Sequence, residues 1–172
     1  MRLDALRAAL HYAELGYPVF PCRIGGKEPL TPNGLKDGTT DQQKITKWFG
    51  WKPDANIGLV TQGLVVIDID LGGCLSSDPE QIQELADVPW QVTPSGGRHH
   101  VFRPPKGKVY RNSVSKLAPK VDTRANGGYI VVAPSQIGSD FYEWQVPLKS
   151  PTPVSYPNHP SGSSNDWTPS TV

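Results

Sequence analysis

Seven consecutive residues, Leu64-Val65-Val66-Ile67-Asp68-Ile69-Asp70, constrain this chain more than any other stretch. A segment so rich in β-branched side chains favours a pleated, half-buried strand. Side chains alternate across a strand, so Asp68 and Asp70 project to one face while Val65, Ile67 and Ile69 pack on the other. Two carboxylates then stand together at a sheet terminus. Their repulsion is unfavourable on a half-buried strand unless a cation or a basic group offsets it, and hard oxygen ligands of this type suit Mg²⁺ or Mn²⁺. The same residues also read as an ordinary strand end, with both acids solvated ahead of the Gly72-Gly73 turn.

The chain is 172 residues long, the size of one ordinary domain. Leu3, Leu6, Ala9, Leu10 and Ala13 recur at helical intervals, which predicts a helix over 2–15 stopped by Gly16. A strand is expected at 17–21, followed by the long Gly- and Pro-rich loop GGKEPLTPNGLKDG. Thr40 or Asp41 then caps a second helix running to about Phe49. Strands are expected at 57–61 and 64–70, as a hairpin or as neighbours, and a short helix at 79–87. Further strands are expected near 90–93, 99–103, 120–124, 128–133 and 141–145. Few helices among many short-linked strands favour an α+β sheet layered with helices over a doubly wound parallel sheet. From Pro147 to Val172 the composition shifts to Pro, Ser and Thr, which reads as a linker or disordered tail, either of a piece from a larger protein or as the flexible C-terminus of a complete one, leaving 1–146 as the folded domain.

No apolar run approaches the roughly 20 residues of a membrane span, and the N-terminus mixes charge with apolar residues, unlike a secretory signal. A cytoplasmic protein without a membrane partner is expected. Cys22 and Cys74 lack zinc-site spacing and read as reduced thiols. The formal net charge of +1 argues neither for nor against nucleic acid, because local clustering decides that.

Three further segments carry chemistry. In TPSGGRHHVF, Ser95, Gly96 and Gly97 form a tight turn whose N–H groups can face an anion. Adjacent histidines point to opposite faces: His100 shares one with Phe102, which looks like core, and His99 shares the polar face with Arg103. In KVDTRANGGYIVVAPS, Val121 inward places Asp122 outward with Arg124 beside it, as a site or as a plain salt bridge, and Asn126-Gly127-Gly128 signals a hairpin turn. Lys27, in GGKEP, is either a solvated lysine or a phosphate contact, and no P-loop pattern surrounds it.

In this order, GGKEP, ANIGLVT, LVVIDID, TPSGGRHHVF and VDTRANGGYIVVAPS resemble the N-terminal bifunctional DNA primase/polymerase (prim-pol) family of the archaeo-eukaryotic primase superfamily, common on phages and plasmids. The resemblance covers roughly residues 5 to 145 and implies an α+β fold: a mixed sheet like an RNA-recognition motif, flanked by helices, with a smaller N-terminal α/β unit. It implies a template-dependent nucleotidyltransferase that makes or extends primers on single-stranded DNA from deoxy- or ribonucleoside triphosphates. Asp68, Asp70 and Asp122 match the acids that coordinate two divalent ions, Mg²⁺ or Mn²⁺. Ser95, Gly96, Gly97 and His99 match the motif that meets the incoming nucleotide, with Arg124 and Lys27 as further nucleotide contacts. Lys44, Lys47, Trp51 and Lys52 are candidates for a template surface. A helicase module in the same or a partner chain, and a bacterial host cytoplasm, are the expected setting. The competing readings are a metal-dependent nuclease or phosphodiesterase on the same carboxylates, and a non-catalytic single-strand-binding replication-initiation module.

Overall fold

The computed structural model describes residues 4–75, 77, 79–104 and 107–149. Asp4 accepts the Arg7 N–H at 2.7 Å and opens helix α1 (Ala5–Glu14). Asp41 accepts from the Gln43 and Lys44 amides and opens α2 (Gln42–Trp51). Each such cap contributes about 1 kcal/mol by satisfying amides that the first turn leaves without a partner. Ala8, Ala9 and Ala13 form the buried side of α1, and their small size lets it lie close on Ile45 and Phe49 of α2.

The two helices cover a three-stranded sheet, β1 (Val19–Cys22), β2 (Asn56–Val60) and β8 (Tyr129–Val132), in the order β1-β2-β8. The larger sheet has six strands: β3 (Val65–Ile69), β4 (Trp90–Val92), β5 (Arg98–Phe102), β6 (Ser113–Ala118), β7 (Val121–Arg124) and β11 (Glu143–Val146). Its order is β11-β4-β5-β3-β7-β6. A short pair, β9 (Gln136–Ile137) with β10 (Asp140–Phe141), completes the strands. The α+β architecture is as expected, with antiparallel pairing between the named strands in place of a mixed sheet.

Two connections differ from the sequence expectation. Residues 61–64 and 125–128 carry hairpin-like turn signals, yet each takes the chain from one sheet to the other. The two crossings bind one another. Thr61 N–H donates to the Gly128 carbonyl at 3.0 Å, the Thr61 hydroxyl to Ala125 O at 2.6 Å, and Gly63 N–H to the Asn126 side chain at 2.9 Å. The smaller unit is therefore not purely N-terminal, since β8 comes from the second half of the chain.

The main core joins α1, α2 and the small sheet to Val66 and Val101 on one face of the large sheet. Val65, Ile67, Ile69 and Val121 form a second cluster on the opposite face with Tyr110. Helix α3 (Pro79–Asp87) meets that face, where His100 donates from Nδ1 to the Leu85 carbonyl at 2.7 Å. The expected end of the domain at 146 falls short, because Leu148 is 5 % exposed within the main core and Tyr17 donates its hydroxyl to Lys149 O. The remainder of the Pro- and Ser-rich tail lies outside the described residues. No described helix is long and apolar enough to cross a membrane.

His100 stacks on Trp90 with ring centroids 5.5 Å apart, and burial pushes its pKa down from 6.5 to about 4. As the pH falls through 6.5 the unfolded chain binds this proton first, so folding loses stability between pH 6.5 and about 4. The loss is on the order of 3 kcal/mol. Chemical denaturation across that range is expected to show a shallower decline in His100→Phe, which keeps an aromatic ring on Trp90. An equal decline in both proteins would contradict the assignment.

Candidate active site

Strand register sets the site. Asp68 of β3 lies opposite His99 of β5 on one side and opposite Asp122 of β7 on the other, and Gln91 of β4 lies opposite His99. Directly paired residues share a face, so Gln91, His99, Asp68 and Asp122 form one row across four strands. Val66 and Val101, two residues along, are sealed under the main core. The row thus sits where the covered face of the sheet opens.

His99 Nε2 is 3.3 Å from Asp68 Oδ1. Arg124, two residues beyond Asp122 on the same face, places Nη2 2.9 Å from Asp122 Oδ2 and 3.7 Å from Asp68 Oδ2. The other Asp122 oxygen accepts the Ser115 N–H at 2.9 Å. Burial pushes the Asp68 carboxyl up, whereas the His99 hydrogen bond and the positive charge around it, that of Arg124 and Lys27 included, pull it down, and the balance holds the group below the usual carboxylate range. Asp68 is therefore ionised at neutral pH.

Asp68, His99 and Arg124 line a cleft of about 300 Å³ at the junction of the two sheets, together with Lys27, Tyr129 and Tyr142. Lys27 reaches it on a pinned turn. Arg23 N–H donates to Glu28 O at 2.7 Å, buried Asn56 donates to Gly26 O at 2.8 Å, and the Tyr129 hydroxyl donates to Lys27 O at 3.0 Å. Nothing in the local sequence marks Tyr142 or Gln91, and both enter the site through tertiary packing. The Tyr142 ring lies 6.0 Å from that of His99, and burial together with the Asp68 charge pushes its hydroxyl far above the ordinary value, so it stays protonated.

The remaining sequence candidates are placed as follows. Both histidines are buried, His99 at 6 % exposure, so its face is a covered cleft rather than an open polar surface. Gly96 N–H donates to Thr93 O at 2.9 Å and Gly97 N–H to the Thr93 hydroxyl at 3.1 Å, so the turn spends these two amides on itself, and Ser95 Oγ lies 3.1 Å from the same hydroxyl. Asp70 is exposed just past the end of β3, its N–H donating to Lys120 O. Among the described residues no set of three or more His, Cys, Asp and Glu side chains is drawn together as a metal cluster. The structure thus unites Asp68 and Asp122 around one positive group and leaves Asp70 outside. The donor set of Asp68 and Asp122 still fits a hard cation: two carboxylates already share one positive group, the Arg124 guanidinium.

On α2 and at its C-cap, Lys44, Lys47, Trp51 and Lys52 are all exposed, Trp51 at 79 %. Lys47 Nζ stands 5.8 Å over the Trp51 ring and Lys44 Nζ 4.8 Å over that of Trp48, which is half-buried between two core clusters.

Residues 9–158 match the family model described as bifunctional DNA primase/polymerase, N-terminal. A search of curated proteins finds no match.

Proposed function

Because the chain belongs to the bifunctional DNA primase/polymerase N-terminal family, we propose that it adds nucleotides from nucleoside triphosphates to a strand on single-stranded DNA, through the cleft around Asp68. The observation that carries this reading is the row His99–Asp68–Asp122 with Arg124 between the two acids. Asp68 and Asp122, with the exposed Asp70 just past the end of their strand row, would hold divalent ions, Mg²⁺ or Mn²⁺. Such ions, when bound, activate a primer hydroxyl and neutralise the charge of the leaving pyrophosphate.

The chain's own groups supply the rest. Lys27 and Arg124 bring positive charge to the triphosphate from two sides of the cleft, and His99 donates a hydrogen bond to a phosphate oxygen. Transfer of this kind depends mainly on positioning and electrostatics, which suits groups anchored on paired strands. Lys44, Lys47, Trp51 and Lys52 offer template DNA an exposed cationic and aromatic surface, and a helicase module, in the same or a partner chain, is the natural source of that single strand.

The direct test supplies single-stranded template and labelled nucleotides, with and without primer, in Mg²⁺ and in Mn²⁺. Template-dependent elongation is the expected result. Shortening of the strand without added triphosphates would favour the nuclease reading, and binding without either product would favour a binding module. Trp51→Ala is expected to weaken template binding roughly tenfold, since stacking on an aromatic contributes ~1–3 kcal/mol per base, with nucleotide affinity unchanged. Unaltered binding by fluorescence anisotropy would remove α2 from the template path.

A further inference from the structure

Gln91 is fully buried in the row beside His99, where solvent reaches neither end of its side chain. Its amide has only one possible orientation. Oε1 accepts the Ala133 N–H at 3.1 Å, and Nε2 donates to the Val131 carbonyl at 2.7 Å. Both partners are backbone groups of fixed polarity, so a flipped amide would set carbonyl against carbonyl and N–H against N–H. The second hydrogen of Nε2 is then directed at His99 Nδ1, 2.9 Å away. A nitrogen facing an N–H must accept, so Nδ1 carries no proton and the ring's hydrogen is on Nε2, the atom that faces Asp68 Oδ1 at 3.3 Å.

We propose that Gln91 is a positioning residue that fixes His99 as the neutral Nε2–H tautomer, so that the cleft is offered a hydrogen-bond donor of fixed direction that carries no charge. The chain of contacts runs from the backbone of β8 through Gln91 and His99 to the carboxylate. His100, the next residue, is held the opposite way. Its Nδ1 faces the Leu85 carbonyl at 2.7 Å and must donate, which leaves Nε2 unprotonated, and that atom is buried without a partner. Two adjacent histidines therefore carry their protons on different nitrogens, one set by the buried Gln91 amide and the other by the Leu85 carbonyl. What the Nε2–H group donates to during nucleotide addition rests on the function proposed above, whereas the tautomer does not.

Nitrogen-15 spectra of the histidine rings, correlated through two bonds to the ring protons, read this directly on the full chain without metal, nucleotide or DNA. The wild type is expected to show His99 protonated at Nε2 and His100 at Nδ1. In Asp68→Asn the His99 pattern is expected to persist, because Gln91 rather than the carboxylate selects it. In Gln91→Glu, whose carboxylate when ionised only accepts, a proton is expected on His99 Nδ1 at a pH where the Glu side chain is charged, and binding of a nonhydrolysable deoxynucleoside triphosphate is expected to weaken about tenfold. A wild type protonated at Nδ1, loss of the Nε2 proton in Asp68→Asn, or a folded Gln91→Glu with its new side chain ionised and an unchanged His99 ring would each overturn the proposal. Should Gln91→Glu not fold, the first two spectra still decide. Absence of primer extension in the wild type would instead count against the function and leave the tautomer standing.

Discussion

Asp68→Asn is expected to lower template-dependent extension by about a thousandfold or more while leaving the fold standing, the largest effect on activity of any single substitution in this chain. Asp68 is the centre of the row: it meets His99, lies opposite Asp122, and comes within 3.7 Å of Arg124. Without metal the two effects on stability oppose each other. The variant loses the pairing with Arg124, but it also relieves two like charges set directly opposite on neighbouring strands, so the melting temperature should move little. A native-state ligand stabilises by mass action, so the increase in melting temperature on adding Mn²⁺ should shrink with the activity. Asp122→Asn is expected to behave alike. Asp70→Asn separates the roles: its exposed position predicts an unchanged melting temperature without metal, together with loss of extension if it completes the ion site. Full extension by Asp68→Asn or Asp122→Asn would sink the mechanism.

The sequence carries the elements of this fold wherever a period is clean. The apolar spacing before Gly16 matches α1, the capping aspartate marks the start of α2, and LVVIDID matches β3 with its acid-bearing face. Edge strand β6 escapes such reading, because Ser113–Ala118 is exposed for much of its length and its register on β7 is irregular, with Ser115 at a φ of 48°. That irregularity turns the Ser115 amide onto Asp122, 2.9 Å from its carboxylate. Pairing partners are legible only in part. A short Gly-containing link looks the same whether it closes a hairpin or passes between sheets, and here the difference lies in the bonds between Thr61, Ala125 and Gly128. The acids, His99 and Arg124 were accessible to alternation along single strands. Gln91 and Tyr142 were not, because their place depends on which strands become neighbours. Alternation also puts Asp70 on the face of Asp68, but the ladder ends at Ile69 and Asp70 lies beyond the row.

Gly97→Ala is expected to cost about 2–3 kcal/mol of stability and to reduce extension roughly a hundredfold, both through one added methyl group. A Cβ at this position would lie 2.6 Å from the Ile69 carbonyl oxygen, 3.1 Å from the Thr93 hydroxyl and 3.3 Å from Asp70 Cα. Two of these neighbours are backbone at and just past the end of the strand that carries Asp68, so they cannot rotate aside as a side-chain tip would. The turn must lift from the end of β3, and Arg98 and His99, which follow directly, must move with it relative to Asp68. Gly96→Ala supplies the comparison. Gly96 adopts a φ of 81°, so alanine there is strained by about 1 kcal/mol, yet its nearest neighbour is the Leu71 side chain at 3.3 Å, which can yield. That variant should melt somewhat lower and extend primers nearly as well as the wild type. Melting curves and extension rates for both variants decide the matter: if Gly97→Ala lost no more activity than Gly96→Ala, the close approach of this turn to β3 would not be what sets His99 against Asp68.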